Sequence, residues 1–250
     1  MVTHLECRSL SVHYGEVRAL DRVSFKVPRH SICAVVGPAN SGKTSLLKTL
    51  NRTIDFESRA KVTGDVLLDD VSVISTGDAL DLRRRVGMVF PLPVGLPMSI
   101  YDNVAYAPRS QGLRNKAELD VIVERALRQS VLWDEVKDRL DLLGTRLSGG
   151  QQQRLTLARA LSMQPEVLCL DEFSIAIDPV TTMRIEEVLL ELKATTTIVL
   201  TTNLVQQARR LADQVVFLNA STVVEVGDVV SMFERPRVEL TAQYLQGAIG

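Results

Sequence analysis

The chain has 250 residues, and its 29 lysines and arginines nearly balance its 30 aspartates and glutamates, which gives a formal net charge of −1 at pH 7. This balance excludes a strongly basic protein, so no nucleic-acid partner is expected. The 46% apolar content excludes extensive disorder, and no apolar run is long enough to cross a membrane. The letters MVTHLECRSL show no basic region followed by an apolar one, so no secretion signal is expected from them. An odd number of cysteines predicts reduced thiols, namely Cys7, Cys33 and Cys169.

The first part of the chain predicts antiparallel strands followed by a parallel α/β core. Residues 5–14 and 23–27 alternate between apolar and polar side chains, which is typical of half-buried strands. Residues 32–36 instead form a continuous apolar run that ends in a glycine, as in a parallel strand buried on both faces. The pattern then predicts a helix and two further strands, in the order 43–51, 66–68 and 86–90.

The composition and the periodicity of the sequence change after residue 90. Residues 91–99 carry three prolines and a glycine and predict a loop, whereas residues 116–131 show helical spacing. Strands return at residues 167–170, 196–200, 215–218 and 223–226. We therefore predict one α/β domain over residues 1–250, in which a core of residues 1–92 and 164–250 receives an inserted helical lobe of about 93–163.

The strand at 32–36 leads into the letters GPANSGKT, which have the pattern G-x-x-x-x-G-K-[ST] between a predicted strand and a predicted helix. In that context Gly37 and Gly42 let the backbone curl so that its N–H groups cradle phosphate oxygens. Lys43 is expected to neutralise the β- and γ-phosphates. The pattern favours nucleotide binding over a chance glycine-rich turn, through Gly37, Pro38, Ala39, Asn40, Ser41, Gly42, Lys43, Thr44 and Ser45.

The strand at 167–170 ends in two carboxylates, Asp171 and Glu172. Strand ends in parallel sheets open onto the ligand crevice, so we expect Asp171, together with the hydroxyl of Thr44, to hold Mg²⁺. Glu172 is expected to polarise the attacking water as a general base. Acidic residues are common where a strand meets a turn, and only the phosphate cradle upstream makes the functional interpretation the stronger one.

A second anion-binding helix start is predicted by the letters RLSGGQQQRLTLARAL, where a serine and two glycines precede an amphipathic helix. The core of this motif is Leu147, Ser148, Gly149, Gly150 and Gln151. With the cradle and the acidic pair, it resembles the ATP-binding-cassette (ABC) ATPase family over nearly the whole chain. The resemblance implies a P-loop NTPase fold with a mostly parallel core sheet, an N-terminal antiparallel β subdomain and an inserted helical subdomain.

The same resemblance implies how the site works. In the family two cassettes pair head to tail around two ATP molecules with Mg²⁺. Each ATP lies between the cradle of one cassette and the signature of the other, and the signature corresponds here to residues 147–151. By similarity, Tyr14 is the aromatic residue that stacks on adenine, although it also fits an ordinary half-exposed strand tyrosine. By similarity, Asp178 is the acid that crosses the interface between the cassettes.

Two segments, LRRRVGMVFPLPVGLPMSIYDNVAY and LWDEVKDRL, are similar to the ATP-binding subunits of bacterial phosphate importers. This implies a second cassette as partner, a homodimer being the first expectation. It also implies two membrane-spanning permease subunits and, indirectly, a periplasmic or extracellular substrate-binding protein. The implied location is the cytoplasmic face of the cell membrane. No residue of this chain is expected to contact the transported phosphate.

The chain departs from the family at two functional positions. Pro91 stands where a glutamine reaches the metal and the attacking water, and Thr202 stands where a histidine contacts the γ-phosphate. Proline has no carboxamide and no N–H, and the three histidines of the chain are His4, His13 and His30, far from position 202 in the sequence. A third departure is Phe173, in place of a common proline, which concerns packing.

Three functions follow from this inventory. The first is an importer motor whose ATP hydrolysis is slowed by Pro91 and Thr202. The second is a catalytically degenerate cassette that regulates, or pairs with, an active one; Glu172 and the complete signature disfavour it. The third is a soluble cassette of DNA maintenance or translation, which the lack of long coiled coils, tandem cassettes and basic tracts disfavours.

Overall fold

The computed structural model describes residues 2–249, whose contacts divide the chain into two units. The first unit contains the described residues up to Met88, together with Glu166–Glu172 and those from Lys193 onward; the second contains Val89–Pro165 and Phe173–Leu192. The strands are β1 Thr3–Tyr14, β2 Val17–Pro28, β3 Ile32–Val36, β4 Ala60–Leu68, β5 Val71–Ser72, β6 Val86–Val89, β7 Val167–Asp171, β8 Thr197–Thr202, β9 Gln214–Asn219 and β10 Thr222–Asp228. The helices are α1 Lys43–Leu50, α2 Ala79–Arg85, α3 Ile100–Ser110, α4 Lys116–Gln129, α5 Trp133–Val136, α6 Gly149–Leu161, α7 Pro179–Leu192, α8 Val205–Leu211, α9 Val229–Glu234 and α10 Glu239–Leu245.

An antiparallel sheet of the first unit has the strand order β2-β1-β4-β5. The predicted alternation of β1 is interrupted because a register shift against β2 lies between Cys7 and Leu10, and Ser9 adopts a left-handed φ of 46°. A β-bulge of this kind adds a residue without changing the buried face. As a result Leu5 and Cys7 point into the same core as Leu10, although their spacing breaks strict alternation.

The second sheet has the order β10-β9-β3-β8-β7-β6 and is mostly parallel. β3 pairs in parallel with both β8 and β9, and β7 pairs in parallel with β8. Every residue of β3, β7 and β8 is buried, as the continuous apolar run predicted for β3. Because these three strands run in the same direction, their carboxyl ends meet at one edge, which brings together the residues that follow Val36, Leu170 and Thr201.

Helix α1 is anchored beneath that edge by three leucines, Leu46, Leu47 and Leu50, which belong to the same core as Cys33 and Val35 of β3. Their burial fixes the start of α1 relative to the end of β3. The predicted reduced thiols are free and buried at Cys7, Cys33 and Cys169, and burial raises the pKa of each thiol, so none is a reactive nucleophile.

The second unit is built from helices around its own apolar core. The helical spacing predicted for residues 116–131 corresponds to α4, which buries Leu119, Val123 and Leu127 beside Ile100 and Val104 of α3. Contacts also group α7 with these helices, and the domain boundary predicted near residue 163 remains a prediction. Within residues 2–249, no helix combines the length and the apolar character needed to span a membrane.

Candidate functional site

The predicted phosphate cradle is the loop between β3 and α1, and its two glycines are required by its shape. Gly42 has a left-handed φ of 104°, and a Cβ atom there would lie 2.3 Å from the carbonyl oxygen of Ala19. A Cβ atom on Gly37 would lie 2.0 Å from the carbonyl oxygen of Leu218. Both approaches are shorter than any side chain tolerates, so only glycine permits this path of the backbone.

The start of α1 is open to a ligand. Its N-cap is Gly42, no side chain caps the helix, and no acidic residue lies in its first turn. The first N–H groups of a helix lack partners within the helix and carry its positive dipole end. They face a cleft of about 400 Å³ that is lined by Val17, Arg18, Ala19, Ala39, Asn40, Ser41, Gly42, Lys43, Thr44, Ser45 and Glu172. This arrangement suits a phosphorylated ligand.

Lys43 supplies the positive side chain of the cleft. It is buried, and its ammonium group donates hydrogen bonds to the carbonyl oxygens of Gly37 at 2.9 Å and Pro38 at 3.0 Å. Burial lowers the pKa of Lys43, and the nearby carboxylates of Glu172 and Asp171 oppose that shift. Since the lysine is held by neutral carbonyls, a phosphate oxygen would be a stronger partner for it.

Asp171 is fully buried at the end of β7. Its Oδ1 atom accepts a hydrogen bond of 2.5 Å from the hydroxyl of Thr201, whereas its Oδ2 atom is buried without a hydrogen-bond partner among the described residues. A buried carboxylate oxygen is costly to leave unpaired, and oxygen ligands of this kind are those that Mg²⁺ prefers. The Asp171 carboxylate therefore has the chemistry of a magnesium ligand, and Thr44, the second oxygen donor predicted from the sequence, is exposed in the first turn of α1.

Glu172 follows in a strained conformation. Its φ is +43°, in the left-handed region, and its N–H donates to the carbonyl oxygen of Thr201 at 3.1 Å and to the Thr201 hydroxyl at 3.2 Å. Its carboxylate is partly exposed, lines the cleft, and lies 3.8 Å from the ammonium of Lys43. Strained backbone held by surrounding hydrogen bonds is typical of functional sites, and this carboxylate is placed where a water in the cleft can be polarised.

Thr202 ends β8 opposite Val36, the residue before Gly37. It is buried, and its hydroxyl accepts a hydrogen bond from the N–H of Leu204 at 3.0 Å. That bond uses a lone pair and leaves the single hydroxyl proton for another acceptor. Tyr14, predicted to stack on the base, lies within hydrogen-bond distance of Ser45, its hydroxyl 3.2 Å from the serine oxygen.

Sequence reasoning missed four contributors to this site. Val17, Arg18 and Ala19 line the cleft, and no motif marks them. Thr201 contacts both members of the acidic pair, and its only signal in the sequence is a polar side chain at the end of an apolar strand.

The signature residues begin α6 in the second unit. Ser148 is the N-cap, and a capping box links its hydroxyl to the N–H of Gln151 and its own N–H to the Gln151 side chain. Gln151 also donates to Glu135 at 2.9 Å. Leu147 is buried, whereas Ser148 and Gly149 are exposed. The motif is therefore a preformed helix start with an accessible hydroxyl.

Two other predicted positions also lie in the second unit. Pro91 follows Phe90, whose carbonyl accepts a hydrogen bond of 2.9 Å from the buried Gln153. Asp178 is exposed and accepts a hydrogen bond of 3.0 Å from the N–H of Thr181, which holds the pKa of Asp178 below its ordinary value. Asp178 is therefore ionised at neutral pH.

Comparison with known proteins identifies the family of the chain. The ABC transporter family model matches residues 20–174. The chain is 43% identical over 244 residues to "Phosphate import ATP-binding protein PstB 3" from two strains of Streptococcus pneumoniae, covering 97% of this chain and 98% of each relative.

Solved structures show the fold. A bacterial Atm1-family ABC exporter with ATP bound matches with a TM-score of 0.85 at 23% identity, covering 99% of this chain, which spans 42% of that longer chain. A dimeric ATP-binding cassette in a post-hydrolysis state with ADP and Pi matches with a TM-score of 0.78 at 24% identity, covering 90% of this chain and 98% of that one. The predicted fold class is thereby confirmed, and the chain belongs to the ATP-binding subunits of the ABC transporter family and is an ATPase of that family.

Proposed function

We propose that this chain is the ATP-driven motor subunit of a membrane importer for inorganic phosphate. One observation carries the motor assignment: the Glu172 carboxylate lies 3.8 Å from the Lys43 ammonium, directly after Asp171, whose Oδ2 atom is buried and unpaired. A cation-binding oxygen, a phosphate-binding lysine and a general base thus share one edge of the sheet. The transported substrate is inferred from the phosphate-import relative alone.

Each residue of the cleft has a proposed role. The cradle, residues 37–45, binds the phosphates of ATP through its N–H groups, and Lys43 neutralises the β- and γ-phosphates. Thr44 and Asp171 hold Mg²⁺, which when bound neutralises charge on the transferred phosphoryl group. Glu172 accepts a proton from the attacking water. Tyr14 stacks on the adenine.

The exposed signature implies a second cassette. We propose a head-to-tail homodimer in which the Ser148 hydroxyl and the N–H groups of Gly149 and Gly150 bind the ATP held by the partner's cradle. The ionised Asp178 crosses the interface. The dimer drives two membrane-spanning permease subunits at the cytoplasmic face of the membrane and so serves, indirectly, an external substrate-binding protein.

Hydrolysis in this chain is proposed to be slow. Pro91 has no carboxamide at the position where the family carries a glutamine, and Thr202 offers one hydroxyl proton in place of an imidazole. Loss of one donor that stabilises a transition state typically costs ~10²–10³ in rate. The same two residues favour the second candidate function, a degenerate cassette that binds ATP without turnover, whereas the placement of Glu172 beside Lys43 favours the motor.

Steady-state ATP hydrolysis separates the two candidates. We expect the purified wild-type protein to turn over slowly, Glu172→Gln to lose at least ~10² of that rate while still binding Mg-ATP, and Thr202→His to gain about tenfold or more. Expressed in cells that lack their phosphate-import ATPase, the wild type should restore uptake of labelled phosphate and Glu172→Gln should not. A wild type that binds Mg-ATP yet hydrolyses it no faster than Glu172→Gln establishes the degenerate cassette instead.

A further inference from the structure

We propose that Thr201 is a positioning residue of the hydrolysis site, and that its single hydroxyl orients both carboxylates of the acidic pair. Thr201 lies outside every motif identified in the sequence. The inference rests on the proposed roles of Asp171 as a magnesium ligand and Glu172 as a general base. Thr201 is then a third polar side chain of the site, and its function is to orient the carboxylates of the other two residues.

The register of the sheet places Thr201 beside the acidic pair. Thr201 of β8 pairs with Asp171 of β7, and both residues are fully buried. The Thr201 hydroxyl donates its one proton to Asp171 Oδ1 over 2.5 Å, at the short end of the range for a hydrogen bond to a carboxylate. A hydroxyl can donate only once, so the proton of Thr201 is committed to Asp171.

The lone pairs of the same hydroxyl serve Glu172. The Glu172 N–H is shared between the Thr201 hydroxyl at 3.2 Å and the Thr201 carbonyl at 3.1 Å. This shared bond holds Glu172 at a φ of +43°, a region that costs a residue other than glycine on the order of 1–3 kcal/mol. The turn directs the carboxylate of Glu172 into the cleft, 3.8 Å from Lys43.

The two carboxylate oxygens of Asp171 thereby differ in their hydrogen-bond partners. Oδ1 is satisfied by Thr201, and Oδ2 has no hydrogen-bond partner among residues 2–249. The bond to Oδ1 fixes the plane of the carboxylate, so the oxygen left for the cation has a defined direction. Such outer partners of metal ligands typically change metal affinity or activity by ~10–100-fold when removed.

The apolar surroundings of Thr201 indicate that its hydroxyl is not needed for packing. The preceding residues of β8, Ile198, Val199 and Leu200, are apolar and fully buried, and valine would fill the position of Thr201 with almost the same shape. A threonine in such a strand carries the cost of burying a polar group unless it forms a hydrogen bond. Here that bond goes to the acidic pair.

The test compares Thr201→Val, which lacks the hydroxyl, with Thr201→Ser, which keeps it. Thr197→Val serves as a matched control. Thr197 lies on the same strand, is equally buried, and bonds His4 and the N–H of His30, away from the acidic pair. All three variants lose buried packing or hydrogen bonds, but only Thr201→Val removes the hydroxyl from the acidic pair. Thermal unfolding of each variant records the structural cost.

Two readouts report on the site itself. Thr201→Val should lower kcat by ~10–100-fold and raise the Mg²⁺ concentration needed for half-maximal stabilisation by ATP about tenfold. ATP binding in EDTA should stay within about twofold of the wild type, because the cradle is unchanged. Thr201→Ser should recover most of both losses, and Thr197→Val should change neither, even where it lowers the unfolding temperature as much.

Each outcome bears on the inference. It is overturned if Thr201→Val loses stability like Thr197→Val but keeps the wild-type kcat and Mg²⁺ requirement, since Thr201 then only fills the core. If the wild type binds ATP without hydrolysing it, the motor proposal fails, and the Mg²⁺ requirement still decides the role of Thr201. Should Thr201→Val not fold, Thr201→Cys provides the same comparison with a weaker donor.

Discussion

The two helices that begin at predicted anion sites, α1 and α6, start in opposite ways. α1 follows Gly42, which has a left-handed φ and no side chain, and nothing caps the helix. α6 follows Ser148, which has an extended backbone and forms a capping box with Gln151. The first helix start leaves its N–H groups open, whereas the second satisfies part of its own.

In the dimer that we propose, α1 binds ATP within its own cassette, whereas α6 contacts ATP only when a partner cassette presents it. The open N–H groups of α1 lie beside Lys43 and a cleft, and every residue that lines this cleft belongs to the first unit. The capping box of α6 occupies the N–H groups of Ser148 and Gln151 and leaves those of Gly149 and Gly150 for an anion. The start of α6 is therefore ordered before any ligand arrives, which suits the contact with a partner's ATP that we propose.

The largest expected effect on ATP binding comes from adding a methyl group to each helix start. Gly42→Ala should lower ATP affinity at least tenfold, because alanine is strained by ~1–2 kcal/mol at a left-handed φ and its Cβ would lie 2.3 Å from the oxygen of Ala19. Gly149→Ala meets no atom within 4 Å and should raise the free energy of unfolding by up to about 1 kcal/mol. Isothermal titration with ATP and chemical unfolding measure the two effects.

Gly150→Ala is the matched control within the signature, since its Cβ would lie 2.9 Å from the carbonyl oxygen of Ala176. It should destabilise the second unit, unlike Gly149→Ala. Equal tolerance of alanine at positions 42 and 149 would contradict the distinction between the two helix starts.

Substitutions of Ser148 are expected to leave ATP binding to the cradle unchanged and to affect stability only slightly, but to slow hydrolysis. Ser148→Ala removes the cap of α6 and should cost about 1 kcal/mol of stability, whereas Ser148→Asp keeps a capping oxygen and should cost little. Both variants should lose about 10²-fold or more of the hydrolysis rate, because each removes a hydroxyl donor from the partner's ATP and aspartate adds negative charge. If Ser148→Asp hydrolyses ATP like the wild type, Ser148 is only a cap.

The smallest effect concerns the acid that holds Gln151. Arg154 donates two hydrogen bonds to Glu135 and holds the pKa of Glu135 below its ordinary value, with a further contribution from Gln151. A lowered carboxyl pKa stabilises the fold at pH values above the ordinary carboxyl pKa, and that stability is lost as the pH falls through the lowered value. Because Glu135 is partly exposed, the contribution should stay below about 1 kcal/mol.

Unfolding temperatures of the wild type and Glu135→Gln between pH 7 and pH 3 measure this contribution. The variant should be slightly less stable at pH 7, and the gap should close in acid. A gap that is independent of pH would show that the Glu135 charge plays no part in holding the signature helix.

The sequence predicted secondary structure correctly where a short pattern of apolar residues follows directly from how the segment is buried. The continuous apolar run at 32–36 and the helix at 116–131 appear as β3 and α4 because burial on both faces, or on one stripe, requires those patterns. The sequence pattern was less clear for β1, because a bulge near Ser9 disturbs the alternation of apolar and polar residues. The cleft residues Val17, Arg18 and Ala19 could not be predicted, because no chemistry in those side chains marks them.

The sequence by itself determined the parts that work through backbone and short spacing. The cradle, the signature and the acidic pair are each contiguous, so a few letters specify glycine flexibility, a helix start and charges at a strand end. Only the tertiary structure decided how the groups are aimed. Thr201 lies 30 residues from Asp171 and bonds it across two strands, and Thr202 lies beside Val36 through the sheet register. Pairing between distant strands depends on the whole core, which no local pattern contains.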